Sequence, residues 1–252
     1  MDTEVKLSDC PEIKELLQVL DQQSLYKEKN DVISLVQCIE HMEKTLSAMN
    51  DELKVMHCEV GKLYDNTMKA KCNKLMEKSG EKLRQTKYLI DTFKNNLIVS
   101  AKQALINYKE KGKEILVLAL NSMKIPFALD VLKKGIYKVS DHMQINAVKT
   151  DSIREELHEA GFHLKNVGRA IFGKATKEKE QLKADKGILA KIRSFFERSE
   201  NTLLEMAKEV DSLSVKLRSS YEKQLSVKED LKQIKSANPL KSKSSLSKEI
   251  AR

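Results

Sequence analysis

The stretch that decides the fold is Val32–Leu63, VISLVQCIEHMEKTLSAMNDELKVMHCEVGKL. Val32, Leu35, Ile39, Met42, Leu46, Met49, Leu53, Met56, Val60 and Leu63 follow one another at alternating spacings of three and four, and all are apolar. A 3.5-residue period places one continuous stripe along a helix and calls for a second helix to cover it. Met42, Met49 and Met56 alternate with Leu46 and Leu53, so this seam is adaptable as well as apolar. The rest of the chain suits the same reading. Gly (8) and Pro (3) are sparse, Trp is absent and charged residues make up 33%. Folds that need many tight turns need more Gly and Pro than this. The fold class is all-α, with long amphipathic helices in antiparallel-bundle or coiled-coil packing.

Before the seam, Asp9 is placed to cap a short helix with Pro11 in its first turn and Ile13, Leu16, Leu17 and Leu20 as its stripe. Residues 1–30 are thus a short acidic helix and its connection, Asp21–Asn30, with the long helix starting near Asp31. Beyond Leu63 the heptad lapses. Ser79–Gly80 reads as a turn or as a weak point in a continuous helix. A second stripe runs from Leu83 through Ile90, Phe93, Leu97, Ala101 and Ala104 to Tyr108, and Gly112 interrupts it. The heptad returns at Leu132, Ile136, Val139, Met143, Asn146, Thr150, Ile153, Leu157, Ala160, Leu164, Val167 and Ile171. Asn146 either fixes register as a buried polar residue or marks an interruption near Thr150–Ser152. A charged linker, 173–187, precedes a last seam from Leu189 to Ile234. Residues 31–235 therefore divide at Gly80, around Gly112–Pro126 and at the linker into segments of about 31–79, 81–123, 127–173 and 188–235. Residues 236–252 read as a disordered basic Ser/Lys tail.

No chemistry-bearing constellation survives inspection. Gly168–Lys174, GRAIFGK, matches the first seven positions of a P-loop, but Ala175 stands where the magnesium-binding hydroxyl belongs and no strand precedes it. It reads instead as a helix end with Gly173 as its C-terminal cap. His158 and His163 are five residues apart, about 140° around a helix, so the zinc-protease spacing is missed. The Glu155–His158 pair has no second copy to complete a di-iron site. His57 and Cys58 diverge on a helix. No catalytic, metal-binding or cofactor-binding residue is expected, and the protein is expected not to be an enzyme.

Net charge is +9, unevenly spread: residues 1–63 are net −6 and residues 64–112 net +6. An acidic head and a basic body attract each other or recruit anions. The N-terminus is polar and acidic, unlike a signal peptide, and the longest apolar run, Ile115–Leu120, is too short to cross a bilayer, so no transmembrane segment is expected. Cys10, Cys38, Cys58 and Cys72 show no CxxC spacing and suit a reducing cytoplasm.

One pattern carries a resemblance. Ser152–Lys174, SIREELHEAGFHLKNVGRAIFGK, contains Ala160, Gly161, His163, Leu164, Asn166, Gly168, Arg169 and Ala170. It resembles an uncharacterised family of helical proteins of Gram-positive bacteria often found with conjugative mobile elements, in which an acidic N-terminal helix and a coiled-coil stretch precede such a pattern. That resemblance implies a bacterial, accessory, cytoplasmic role and no known activity.

The leading expectation is a non-enzymatic scaffold or interaction protein that takes a protein partner, or a second copy, through its helical seams. The second is a nucleic-acid-associated accessory protein using Lys69–Lys87 and the basic C-terminal tail. That second role predicts binding to single- or double-stranded nucleic acid that weakens steeply with salt. No binding at low salt in a fluorescence-anisotropy titration would remove it.

Overall fold

The structure is a computed structural model that describes residues 6–63, 65–122, 125–178 and 187–237; for 121–122 and 220–237 only the backbone is described. Among these residues there are six α-helices and one 3-10 turn, Leu7–Asp9, and no strand. The helices are α1 (Pro11–Gln22), α2 (Tyr26–Gly61), α3 (Asn66–Lys111), α4 (Lys113–Ser122), α5 (Ile125–Ile171) and α6 (Ile188–Ala237).

Contacts between helices fix an up-down-up-down bundle. Glu43 of α2 pairs with Lys94 of α3 at 2.8 Å, and Leu53 lies against Gly80. Lys71 of α3 pairs with Glu156 of α5 at 2.6 Å, and Ser79 meets Asn146. Asp151 of α5 meets Arg193 of α6 at 3.1 Å, while Pro126 at the other end of α5 accepts a hydrogen bond from Ser214. The ring closes where Glu52 of α2 pairs with Arg198 and Asp31 with Lys216, 3.7 Å apart. In every pair the residue numbers run in opposite directions, so each helix is antiparallel to both neighbours. The short α1 lies over α2 and α3, where Ser8 N–H donates to Glu40 and Lys109 pairs with Glu15.

The seam of α2 lies inside this ring. Val32, Leu35, Ile39, Met42, Leu46, Met49, Leu53, Met56 and Val60 are buried. Leu63 falls in the turn after α2 and is half-buried against the core. The first helix boundary differs from the one read at Ser79–Gly80. α2 stops at Gly61, and Asp65 caps α3, its Oδ1 accepting from Met68 N–H at 3.0 Å. The lapse of the heptad after Leu63 is therefore a turn, and α3 restarts the register with Met68, Cys72, Leu75 and Met76 buried. Ser79 and Gly80 sit inside a continuous helix because both are needed there for packing. Ser79 Oγ donates to Leu75 O at 2.9 Å, and a Cβ on Gly80 would stand 3.1 Å from Leu53 Cδ2.

Two smaller readings near the N-terminus are also corrected. Cys10, not Asp9, occupies the N-cap of α1, and Asp9 pairs with Lys14 instead. The expected connection Asp21–Asn30 shrinks to a tight turn in which Ser24 has φ +54° and Leu25 N–H donates to Leu20 O, so α2 begins at Tyr26.

Asn146 resolves in favour of the buried polar residue. α5 runs unbroken past Thr150, whose hydroxyl donates to Asn146 O at 2.7 Å. Asn146 is fully buried; its Nδ2 donates to Ser79 Oγ at 2.8 Å and lies 3.1 Å from His142 Nε2. Its Oδ1 has no hydrogen-bond partner among the described residues. An amide so placed penalises any register in which it loses the partners it has. Burial, reinforced by Lys82, Lys149 and Lys78, holds the His142 imidazole below its usual range. That favours the neutral ring, which can accept from Asn146.

One stretch, Lys113–Ile171, is long and apolar enough to cross a membrane by length and composition alone, with 43% of its apolar window buried within the fold. The run Ile115–Leu120 missed this because the apolar character continues past Asn121–Lys124 into α5. Leu116, Leu120, Ile125, Leu129 and Leu132 are all in the core, so the bundle itself accounts for much of that hydropathy. In α6, Leu189, Ile192, Phe196, Ser199, Leu203, Met206, Val210, Leu213 and Leu217 are buried. The seam positions from Ser220 to Ile234 and residues 238–252 of the tail lie outside the described side chains, as does 179–186 of the linker.

Because the α2 seam closes within the chain, Leu53→Asp should cost about 3 kcal/mol or more, from lost burial and a charge set against Gly80. Lys54→Asp, on the exposed face beside Asp51, should cost under about 1 kcal/mol. Urea unfolding measures both, and sedimentation should show neither changing the mass of the folded protein. Equal costs would mean that the seam is not core.

Candidate functional site: the projecting end of α5

α5 outruns its neighbours. Lys71–Glu156 and Asp151–Arg193 set the level, and α3 begins at Asn66 and α6 at Ile188. Counted from those pairs, both neighbours end at roughly residues 156–161 of α5. The stripe does not end there. Its last fully covered residue is Ile153; Leu157 is 44% exposed, Leu164 72%, Val167 57%, Ile171 75% and Phe172 77%. Spacings of three, four and seven put Leu157, Ala160, Leu164, Val167 and Ile171 on one face, in line with the buried Val139, Met143, Asn146 and Ile153. From Leu157 to Phe172 the open section is ~23 Å long at the rise of an α-helix.

The helix ends as its sequence indicates. Gly173 takes φ +65°, Gly173 N–H donates to Ala170 O at 3.0 Å and Lys174 N–H to Arg169 O at 2.8 Å. Those two bonds form a Schellman cap, which needs a residue tolerant of the left-handed region at Gly173. The GRAIFGK segment is thus a helix end with no strand before it. The chain then folds back. Asn166 accepts from Lys177 N–H at 3.0 Å through Oδ1 and donates to Lys177 O at 3.2 Å through Nδ2. Arg169 Nε donates to Ala175 O at 2.7 Å. Asn166 and Arg169, three apart on one helix face, hold the returning backbone as a pair. Between helix and return lies a cleft of about 490 Å³ lined by Leu157, Gly161, Phe162, Lys165, Asn166 and Arg169, among others.

The remaining pattern residues divide by face. His163 is exposed and meets Phe162 edge-on, ring centroids 5.7 Å apart. Gly161 borders the cleft, while Gly168 follows the stripe. A Cβ at either would meet nothing within 4 Å, so no helix among the described residues approaches closely at these two glycines. The sequence brought His163, Asn166, Gly168 and Arg169 forward as a pattern but missed Lys177 and the exposure of Leu157, Leu164, Val167 and Ile171. The signal available was Asp65 and Gly187: they mark where α3 and α6 begin, and hence where cover for α5 stops.

No other cluster competes. Among the described residues no group of three or more His, Cys, Asp or Glu is placed to hold a metal. Burial pushes the Cys38 and Cys72 thiols up to about 11, far from nucleophilic thiolates. Lys71, Lys74, Lys78 and Lys82 share one face of α3 by spacing, and Lys71 is paired with Glu156.

A model of a family of unknown function, DUF6674, matches residues 9–251. The chain belongs to that family. The match spans the bundle and the projecting end together, so both are features of a DUF6674 protein, and the family description assigns neither a source nor an activity. No curated protein and no solved structure matches the chain.

If Asn166 clamps the return, Asn166→Ala removes both bonds to Lys177. At a net ~1 kcal/mol, tryptic cleavage after Lys174 and Lys177 should accelerate roughly five-fold, with bundle stability unchanged. Unchanged cleavage rates on a gel time course would show that the clamp does not hold the segment.

Proposed function

We propose that this protein is a non-enzymatic interaction protein whose docking element is the projecting end of α5, with the antiparallel bundle as its rigid support. The observation that carries this reading is the continuation of a core-grade heptad stripe, Leu157, Leu164, Val167 and Ile171, past the point where its covering helices stop. Isolated helices of this length are marginal in water, so an uncovered amphipathic stretch is stabilised chiefly by what packs on it. A contiguous apolar face of this kind on a folded domain marks an interaction site. Rigid support matters as well: Gly173 ends the helix cleanly, and Asn166 and Arg169 tie Ala175 and Lys177 back to the helix. Four unpaired cysteines suit action in a reducing compartment.

The test separates docking surface from core. In dilute solution the double variant Leu164→Asp/Val167→Asp should keep the urea-unfolding free energy within about 1 kcal/mol, since neither side chain is covered by the bundle. A loss of several kcal/mol in a protein that stays monomeric would show that the stripe is part of the chain's own core, and would end this reading.

A further inference from the structure

The geometry points to a second copy of this chain as the occupant of the α5 stripe, seated antiparallel across Leu164. This rests on the docking reading above and names its partner.

Three observations select that occupant. First, the stripe is self-complementary. Leu164 lies midway between Leu157 and Ile171 in the heptad, so an antiparallel copy sets Leu157 against the partner's Ile171 and Leu164 against Leu164. Ala160 then meets Gly168 and Gly161 meets Val167. Small residues thus fall opposite residues of either size, and the space at both glycines is open. Second, the charge along this section is self-complementary too. Glu155, Glu156 and Glu159 lie in the first half of the stretch from Glu155 to Lys174, and Lys165, Arg169 and Lys174 in its second half. A section with equal and opposite halves, in a chain of net charge +9, has no net attraction for a polyanion, whereas an antiparallel copy places acidic half beside basic half. Glu156 already shares its charge with Lys71, and Arg169 already donates to Ala175 O, so the complementarity is one of field rather than of new ion pairs. Third, the stripe is continuous with the α5 seam inside the bundle, where antiparallel partners are the rule. A copied α5 extends that same packing beyond the point where α3 and α6 stop.

The experiment is sedimentation equilibrium on the full chain over a wide concentration range, combined with cysteine pairing in a Cys58→Ser background, because Cys58 is exposed. The wild type should reach dimer mass, and Leu164→Asp should return it to monomer at the same concentration with the bundle still folded. Under oxidation, a mixture of Leu157→Cys and Ile171→Cys chains should give a disulfide-linked dimer, whereas Leu157→Cys alone should give little. A dimer that survives Leu164→Asp, or efficient self-linking by Leu157→Cys alone, would overturn the antiparallel pairing. A wild type that remains monomeric throughout would overturn self-association. If that monomer also bound 1-anilinonaphthalene-8-sulfonate in a way Leu164→Asp abolished, the docking reading would stand with a different partner.

Discussion

Three helices meet at two consecutive residues of α3. Ser79 receives the Asn146 amide from α5, and Gly80 leaves room for Leu53 from α2. A side chain at position 80 would crowd Leu53 Cδ2, 3.1 Å from an added Cβ, and loss of the Ser79 hydroxyl would leave a fully buried amide short of its best partner. The rest of the bundle is organised around this point: the α2 seam is in register with α3 because Leu53 fits at Gly80, and α5 is in register with α3 because Asn146 finds Ser79. α6 then fills the remaining side of the ring with Phe195, Phe196 and Leu203 fully buried. The position of α5 along the bundle is set by this node, and that position decides how much of α5 is left over.

What the sequence made legible follows from this. Apolar periodicity is a property of one helix, and it showed the α2 seam, the α5 seam and the all-α class without reference to neighbours. Ser79–Gly80 was ambiguous because propensity weighs Ser and Gly against helix, while their value here lies in contacts of Gly80 with Leu53 and of Ser79 with Asn146, which are 27 and 67 positions away. The true boundary, with α2 ending at Gly61 and α3 capped by Asp65, carries neither Gly nor Pro after Gly61. Its signal was the capping carboxylate of Asp65, which weighs less in a reading led by breakers.

The candidate site was legible as a pattern and not as a surface. The heptad from Leu132 to Ile171 gives no sign of the change at Ile153, since covered and uncovered stripes have the same composition. Exposure depends on where α3 and α6 begin, which is information held in other segments. The chemistry of Asn166 and Arg169 was likewise hidden, because both act on backbone atoms of residues 175–177, and backbone partners leave no trace in residue identity.

α5 is one helix with two fates: bundled through Ile153 and open beyond it. Residue-resolved amide hydrogen exchange on the intact chain reads this directly. In dilute solution, amides of α5 up to Ile153 should exchange only through global unfolding, while those from Leu157 to Phe172 should exchange faster and gain protection as protein concentration rises. Uniform protection along all of α5, independent of concentration, would contradict it.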